Sequence, residues 1–203
     1  MLARRKPRWL DEAGRGPLAV AFSTASRLLG KERLTLTGDE ASTLVSAGLE
    51  RSVVGRLQLD ELGRVALLLR EDATTVAIEQ CYFRGDNRER QAVLTALPLL
   101  TEPSRFLPLA VEACRTSVDD VFRAIACDNP FPARHFPPEN FNQMILKALF
   151  TSAPLSRIVG LRDRVTPELL RMARDYAAER RAAGRIVPED IGVLHALADR
   201  GAA

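Results

Sequence analysis

The residues best equipped for chemistry in this chain crowd into one stretch, Asn129 to Phe150, which reads NPFPARHFPPENFNQMILKALF. An amide and an ammonium, Gln143 and Lys147, stand four positions apart and so share one face of a helix, with Asn142 adjacent. Around them the helix is apolar nearly all round, through Phe141, Met144, Ile145, Leu146, Ala148, Leu149 and Phe150. Burying an amide without a partner costs roughly 2–7 kcal/mol on transfer scales, so these groups need water, a protein partner or a ligand. Two readings stand. In one, the polar groups bond the carbonyls of the proline-rich loop before the helix and hold it. In the other, they form the polar floor of an apolar pocket, with Lys147 facing an anion or a carbonyl. His135, in the loop between Arg134 and Phe136, is a candidate proton donor or ligand, and Asn129 and Phe131 join the candidate binding set, as do Tyr176 and Arg180 further on.

A second run, Asp175 to Arg185 (DYAAERRAAGR), places Asp175 and Glu179 one helical turn apart, followed by Arg180, Arg181 and Arg185. That pattern suits ion pairs on a solvated helix face. Tyr176 offers a hydroxyl to the core or to a pocket, and Arg180 offers a guanidinium. The chain carries no GxGxxG opening a strand–helix unit, no Walker lysine loop, no HExxH and no GxSxG. No pair of carboxylates stands in an apolar context as an acid/base couple. His135 and His195 have no metal-ligand spacing to the cysteines or acids, so neither metal nor cofactor is expected.

The elements that must position these residues read as helices. The chain has 203 residues, 46% of them hydrophobic, which suits one core rather than two. Residues 1–16 read as a basic tail with Arg4, Arg5, Lys6 and Arg8 beside Trp9; residues 17–203 form a single helical domain. Helices are expected from Pro17 to Leu29, from Thr37 to Gly48, and from Asp60 as cap to about Asp72. Further helices run from Thr75 to Phe83, Arg88 to Leu100, Glu102 to Arg115, and Val118 to Cys127 with Ser117 as cap. The β-branched Thr75, Val76 and Ile78 make a strand the competing reading for the fourth of these. Asp128 to Pro138, with four prolines in the nine positions from Pro130 on, reads as an extended loop. Helices follow from Pro138 to Phe150, from Thr166 to Gly184 and from Pro188 to Gly201. The fold class is all-α: about nine helices in stacked antiparallel hairpins, a compact HEAT-like or α-solenoid-like domain without a fixed sequence period.

Charge narrows the partners. The 29 basic and 26 acidic residues give +3, interleaved along the chain, which disfavours nucleic acid. Cys81, Cys114 and Cys127 are odd in number and sit in apolar runs, as expected of thiols in a reducing compartment. No run approaches the roughly 18 apolar residues of a membrane span. The reading is a cytoplasmic protein without a signal peptide, with peripheral membrane contact open to it.

Against that background the segment Val111 to Phe150 closely resembles the central signature of the EboA-domain family, an asparagine-proline-aromatic-proline loop followed by an NQM-x-LKALF helix. Pro154-Leu155 and Ile158 to Leu161 resemble its next stretch, and Asp175-Tyr176, Glu179-Arg180 and Ala182 to Arg185 resemble its DYAHERWAAGR run. The resemblance is close from Leu97 to Pro188 and looser over the first 90 residues. Ala178 and Arg181 stand where the family run has histidine and tryptophan, and Phe141 where tryptophan is common. The resemblance implies a bacterial protein encoded in ebo gene clusters beside a UbiA-like membrane prenyltransferase and enzyme-like partners. Those clusters are linked to secondary-metabolite production and to movement of metabolite precursors across the inner membrane.

The expectation for function is therefore a non-catalytic binding or scaffold protein, an accessory of such a system. It would work at the cytoplasmic side of the inner membrane, with cluster proteins or a small metabolite as partners. The alternative is an enzyme acting on a small isoprenoid-like or phosphorylated metabolite, with Lys147 neutralising charge and His135 or Tyr176 moving a proton.

Overall fold

A computed structural model describes residues 16–201. The basic segment with Arg4, Arg5, Lys6, Arg8 and Trp9 lies outside the described residues. Helix α1 (Leu18–Leu29) turns Ala21, Phe22, Ala25 and Leu29 inward at three- and four-residue spacing and stops at Gly30, φ 85°. Helix α2 (Gly38–Ala47) opens with a reciprocal capping box between Thr37 and Glu40 and ends at Gly48, φ 122°. No residue of α2 is buried. It shares with the short α3 (Arg51–Val54) a small satellite core of Leu49, Val53, Val54 and Leu57.

Helices α4 (Leu59–Leu68), α5 (Thr75–Phe83) and α6 (Asn87–Ala96) build the main core. The β-branched start of α5 is helical, capped by the Thr74 hydroxyl accepting from the Ala77 N–H at 3.2 Å. Helix α6 packs against α4, against α5 and against α8 (Asp119–Ala126), while α1 lies on α4. The broadest packing therefore joins elements that are not chain neighbours. Helix α6 gives way at its end to a 3-10 turn, Leu97–Leu99, because Pro98 has no N–H to continue the α pattern. A second 3-10 turn, Pro103–Phe106, leads into α7 (Leu107–Ala113).

Helix α8 begins after Val118, not with Ser117 as its cap; the Thr116 hydroxyl accepts from the Val118 N–H instead, at 3.2 Å. After α9 (Phe131–His135) come α10 (Pro138–Thr151), a 3-10 turn at Leu155–Arg157, α11 (Leu161–Arg164), α12 (Pro167–Ala182) and α13 (Asp190–Gly201). The hairpin pairs α2/α3, α5/α6 and α12/α13 are in contact. Among the described residues the only bridge of β type is the isolated antiparallel pair Arg33 and Gln58. Phe22, Phe122, Phe131 and Phe141 are fully buried. No helix in the described part is long and apolar enough to cross a membrane.

One expected cap has a different role. Asp60 is the second residue of α4, and its carboxylate is wholly buried. It accepts from Ser26 Oγ at 2.6 Å, Arg64 Nη1 at 3.0 Å and Arg88 Nη2 at 3.0 Å, so it ties α1, α4 and α6 together. Burial pushes the Asp60 carboxyl up, but the Ser26 hydroxyl and the Arg88 and Arg64 guanidiniums outweigh it and hold the group below the ordinary carboxylate range. Arg64 also donates to the Phe22 carbonyl at 3.1 Å. A buried charge with this many partners fixes one arrangement of the three helices, since losing any partner strands the others.

Candidate functional site

The proline-rich stretch is not an extended loop. Residues Phe131–His135 form the short helix α9, because Pro132 falls at a first-turn position, where a missing N–H costs nothing. Asn129 organises the approach. The N–H that would bond the Leu94 carbonyl from four residues on belongs to Pro98 and does not exist. The N–H that would bond the Ala124 carbonyl belongs to Asp128, which turns away (φ 52°) and donates to the Arg157 carbonyl at 2.7 Å. Asn129 Nδ2 takes both places, donating to Leu94 O at 3.0 Å and Ala124 O at 2.9 Å, while its Oδ1 accepts from the Phe131 N–H at 3.0 Å.

The far side of α9 is held by Arg164, whose Nη1 and Nη2 donate to the carbonyls of Ala133 and Phe136, each at 2.8 Å. Gly160 (φ 70°) lies so close that a Cβ there would meet the Ala133 Cβ at 2.7 Å. The loop-holding role expected of Asn142 and Gln143 thus falls to Asn129 and Arg164. Asn142 is buried in α10 and bonds none of the loop carbonyls, and Gln143 is exposed. The Arg164 guanidinium already occupies the carbonyls those amides were expected to hold.

Lys147 is accounted for by folding. Its Nζ donates to the carbonyls of Cys114, at 2.6 Å, and Thr116, both left open where α7 ends, and it lies 4.8 Å from the centre of the Phe122 ring. Burial lowers the pKa of this ammonium, and the neighbouring Cys114 and Asp119 offset only part of the effect. His135 stacks on Phe131 at 4.7 Å, and burial and the neighbouring Arg134 lower its pKa. Tyr176 is half-buried against the core on α12. Arg180 Nε donates to the Ile186 carbonyl at 2.9 Å and closes the turn after that helix. Asp175 pairs with Arg171 at 2.8 Å on an exposed face, as does Glu168, and Ala178 and Arg181 face solvent. Gln143 and Lys147 line a cleft of about 510 Å³ with Phe136 and Met144. Asn129 belongs to another.

That other cleft, about 340 Å³, lies where α3, α4, α6, α8 and the 3-10 turn at Leu155–Arg157 meet. Three helices each turn a polar stripe toward it: Arg88, Gln91 and Thr95 of α6, Glu61 and Arg64 of α4, and Asp120 and Arg123 of α8. Arg56, just beyond α3, and Arg157 complete its wall. Asp128 sits between these last two. Its Oδ2 accepts from Arg56 Nη1 at 2.8 Å, from Arg157 Nε at 2.9 Å and from Arg157 Nη2. Burial raises the Asp128 pKa, but the bonds from Arg157 and Arg56 prevail and hold it below the ordinary carboxylate value.

Glu61 behaves in the opposite way. Burial raises its carboxyl pKa, and the bonds from the Gln58 backbone and Thr95 and the charge of Arg56 do not cancel that. Arg88 gives Nη2 to Gln58 and Asp60, while its Nε is buried without any partner among the described residues. Arg123 makes one long bond, 3.5 Å, to the Ser152 carbonyl. The cleft therefore holds guanidinium donors with unused capacity, the side chains best matched to carboxylate and phosphate oxygens.

Sequence reasoning missed these residues because Arg56, Arg88, Arg123 and Arg157 come from four separate elements with no common spacing. The local signal was the polar stripe at Arg88, Gln91 and Thr95, whose last two members stand at helical spacing beside the apolar Ala92, Val93 and Leu94. No group of three or more His, Cys, Asp or Glu among the described residues is placed to hold a metal ion.

A family model described as "Metabolite traffic protein EboA" matches residues 2–195. The match therefore extends through the first 90 residues, where the resemblance by motif is looser. No curated protein and no solved structure matches the chain.

Proposed function

The chain belongs to the EboA family of metabolite traffic proteins, and from that premise we propose that it is a non-catalytic accessory protein that holds a small anionic metabolite in the arginine-walled cleft. The observation that carries this reading is the convergence of Arg56, Arg64, Arg88, Arg123 and Arg157 from separate elements on one concavity of about 340 Å³. That size lies in the range of small-molecule sites, and guanidiniums in a partly desolvated wall bind anions far better than exposed ones do. The system served would be bacterial secondary-metabolite production or precursor transport at the inner membrane. The partners would be proteins of the same gene cluster, a UbiA-like membrane prenyltransferase among them.

An enzyme acting on a phosphorylated metabolite is the second reading, and Glu61 is the observation in its favour. A carboxyl that holds its proton more tightly than usual beside guanidiniums is the ordinary arrangement of a general acid next to an anion site. An enzyme built on Lys147, His135 and Tyr176 has no such support, because Lys147 is committed to backbone carbonyls and His135 to Phe131.

Thermal-shift and equilibrium-dialysis measurements on the full chain with citrate, pyrophosphate and small phosphate esters test the proposal, with NMR following the fate of each compound. Saturable binding that Arg123→Gln and Arg157→Gln each weaken, with the compound recovered unchanged, is the expected result. Turnover that Glu61→Gln abolishes would move the assignment to the enzyme reading. No binding of any anion would overturn both.

A further inference from the structure

We infer that the cleft takes a small phosphorylated polyhydroxy compound, not a prenyl diphosphate or a nucleotide. The inference rests on the anion site proposed above and names what the remainder of the ligand must be. Beside the guanidiniums and the apolar Leu49, Val53 and Pro98, the wall carries groups that exchange hydrogen bonds with hydroxyls: the amides of Gln58 and Gln91, and the Thr95 hydroxyl and Glu61 carboxyl, which bond each other at 3.4 Å. Gln91 and Thr95 stand four apart on α6, one turn apart on the face that also carries Arg88. This is a ladder of donors and acceptors running away from a cation.

A prenyl chain laid along these groups would strip water from them and return no bonds. A nucleobase would find no aromatic ring to stack on among the described residues of the cleft. The phosphate end is equally specified. Arg88 Nε is a buried N–H with no acceptor among the described residues, and buried polar groups are rarely left so. A phosphate oxygen supplies that acceptor once the Arg88 guanidinium swings toward it, since the Nε is closed to solvent as it stands. Arg123, held among the described residues by a long bond to the Ser152 carbonyl, can close on the same group from α8. The lining also carries acids that oppose an incoming dianion: Glu61 and Asp120 face the cleft beside Asp128. Asp128 is neutralised by Arg56 and Arg157, and Asp60, behind the wall, by Arg64 and Arg88.

Isothermal titration of the full chain with four probes decides the matter: inorganic phosphate, glycerol 3-phosphate, glycerol and geranyl diphosphate. The expected order is glycerol 3-phosphate tightest, phosphate weaker by about tenfold, and glycerol undetectable. A tenfold gap is what one or two added neutral hydrogen bonds supply. The variants Gln91→Leu and Thr95→Val should each bring glycerol 3-phosphate down toward inorganic phosphate while leaving phosphate itself unchanged. Circular dichroism confirms that both remain folded. Geranyl diphosphate binding more tightly than glycerol 3-phosphate overturns the inference. So does equal affinity for phosphate and its glycerol ester; either result leaves an anion-binding cleft standing. No binding of any phosphate sinks the inference and the cleft assignment together.

Discussion

The Lys147 ammonium donates to the Cys114 carbonyl at 2.6 Å, closing the open end of α7 from the side of α10. The one cation in the family-like helix is thus a cap for another helix. Replacing it with methionine keeps much of the length of the side chain but leaves the Cys114 and Thr116 carbonyls without a donor. The expected cost is roughly 1–3 kcal/mol of stability. Urea unfolding of Lys147→Met should show that loss with anion binding intact. Full stability with binding lost would instead place Lys147 in a ligand site.

Asn129 makes three hydrogen bonds to backbone groups that the local sequence leaves unpaired, two carbonyls and one N–H. Asn129→Ala should lower stability by about 2–4 kcal/mol, since buried groups lose their partners at about 1–3 kcal/mol each with partial relaxation. Asn129→Asp keeps the acceptor for the Phe131 N–H but sets a carboxylate against two carbonyls, and should be worse. Chemical denaturation of the two variants, compared with wild type at constant m, reads this directly.

The contrast between these two residues and the helix ends shows where legibility stops. Helix-start signals are local, so Thr37 with Glu40 is readable from four consecutive residues, and Gly30 and Gly48 are readable as stops. The roles of Asn129 and Lys147 depend on which carbonyls lose their donors in α6, α7 and α8, and that is decided by Pro98, by the turn at Asp128 and by packing. Asp60 has the residue type of a cap because caps and first-turn acids share residue types. Its burial is set by Ser26 and Arg88, 34 and 28 positions away. The arginine cleft is the least legible part, assembled from elements no spacing rule connects.

Stability should depend on pH through carboxyl groups shifted in opposite directions. Asp60 and Asp128 are held below the ordinary value of 3.8, so the unfolded chain binds protons there before the native one does. Their contribution is complete above 3.8 and is lost as pH falls through the native values. Glu61 is raised above 4.5, so its contribution is complete below 4.5 and is lost as pH rises through the native value. Glu61→Gln should therefore stabilise the protein at pH 7 relative to wild type and leave the acid limb in place. Thermal melts between pH 3 and 8, run at constant ionic strength, check both signs. A Glu61→Gln protein less stable than wild type at pH 7 would show the carboxylate to be engaged favourably.

The cysteines should be silent in the native state. Burial pushes Cys114 to about 12 and Cys81 to about 11, and it raises Cys127 as well, so thiolate is scarce at pH 8. Mass spectrometry after iodoacetamide treatment should find no label on these three until denaturant is added. Rapid labelling of Cys114 in the folded protein would mean that α7 opens locally.

The central claim is that an anion enters the cleft beside Arg88, and the arginine Nε–H region of a 15N–1H spectrum reports on it most directly. Arg88 Nε–H, assigned with Arg88→Lys, is a buried donor without an acceptor among the described residues. Titration with glycerol 3-phosphate should move its resonance saturably, while that of Arg171, engaged with Glu168 and Asp175 on the exposed face of α12, stays in place. An unmoved Arg88 signal at saturating ligand, or equal drift of all arginines, would contradict the account.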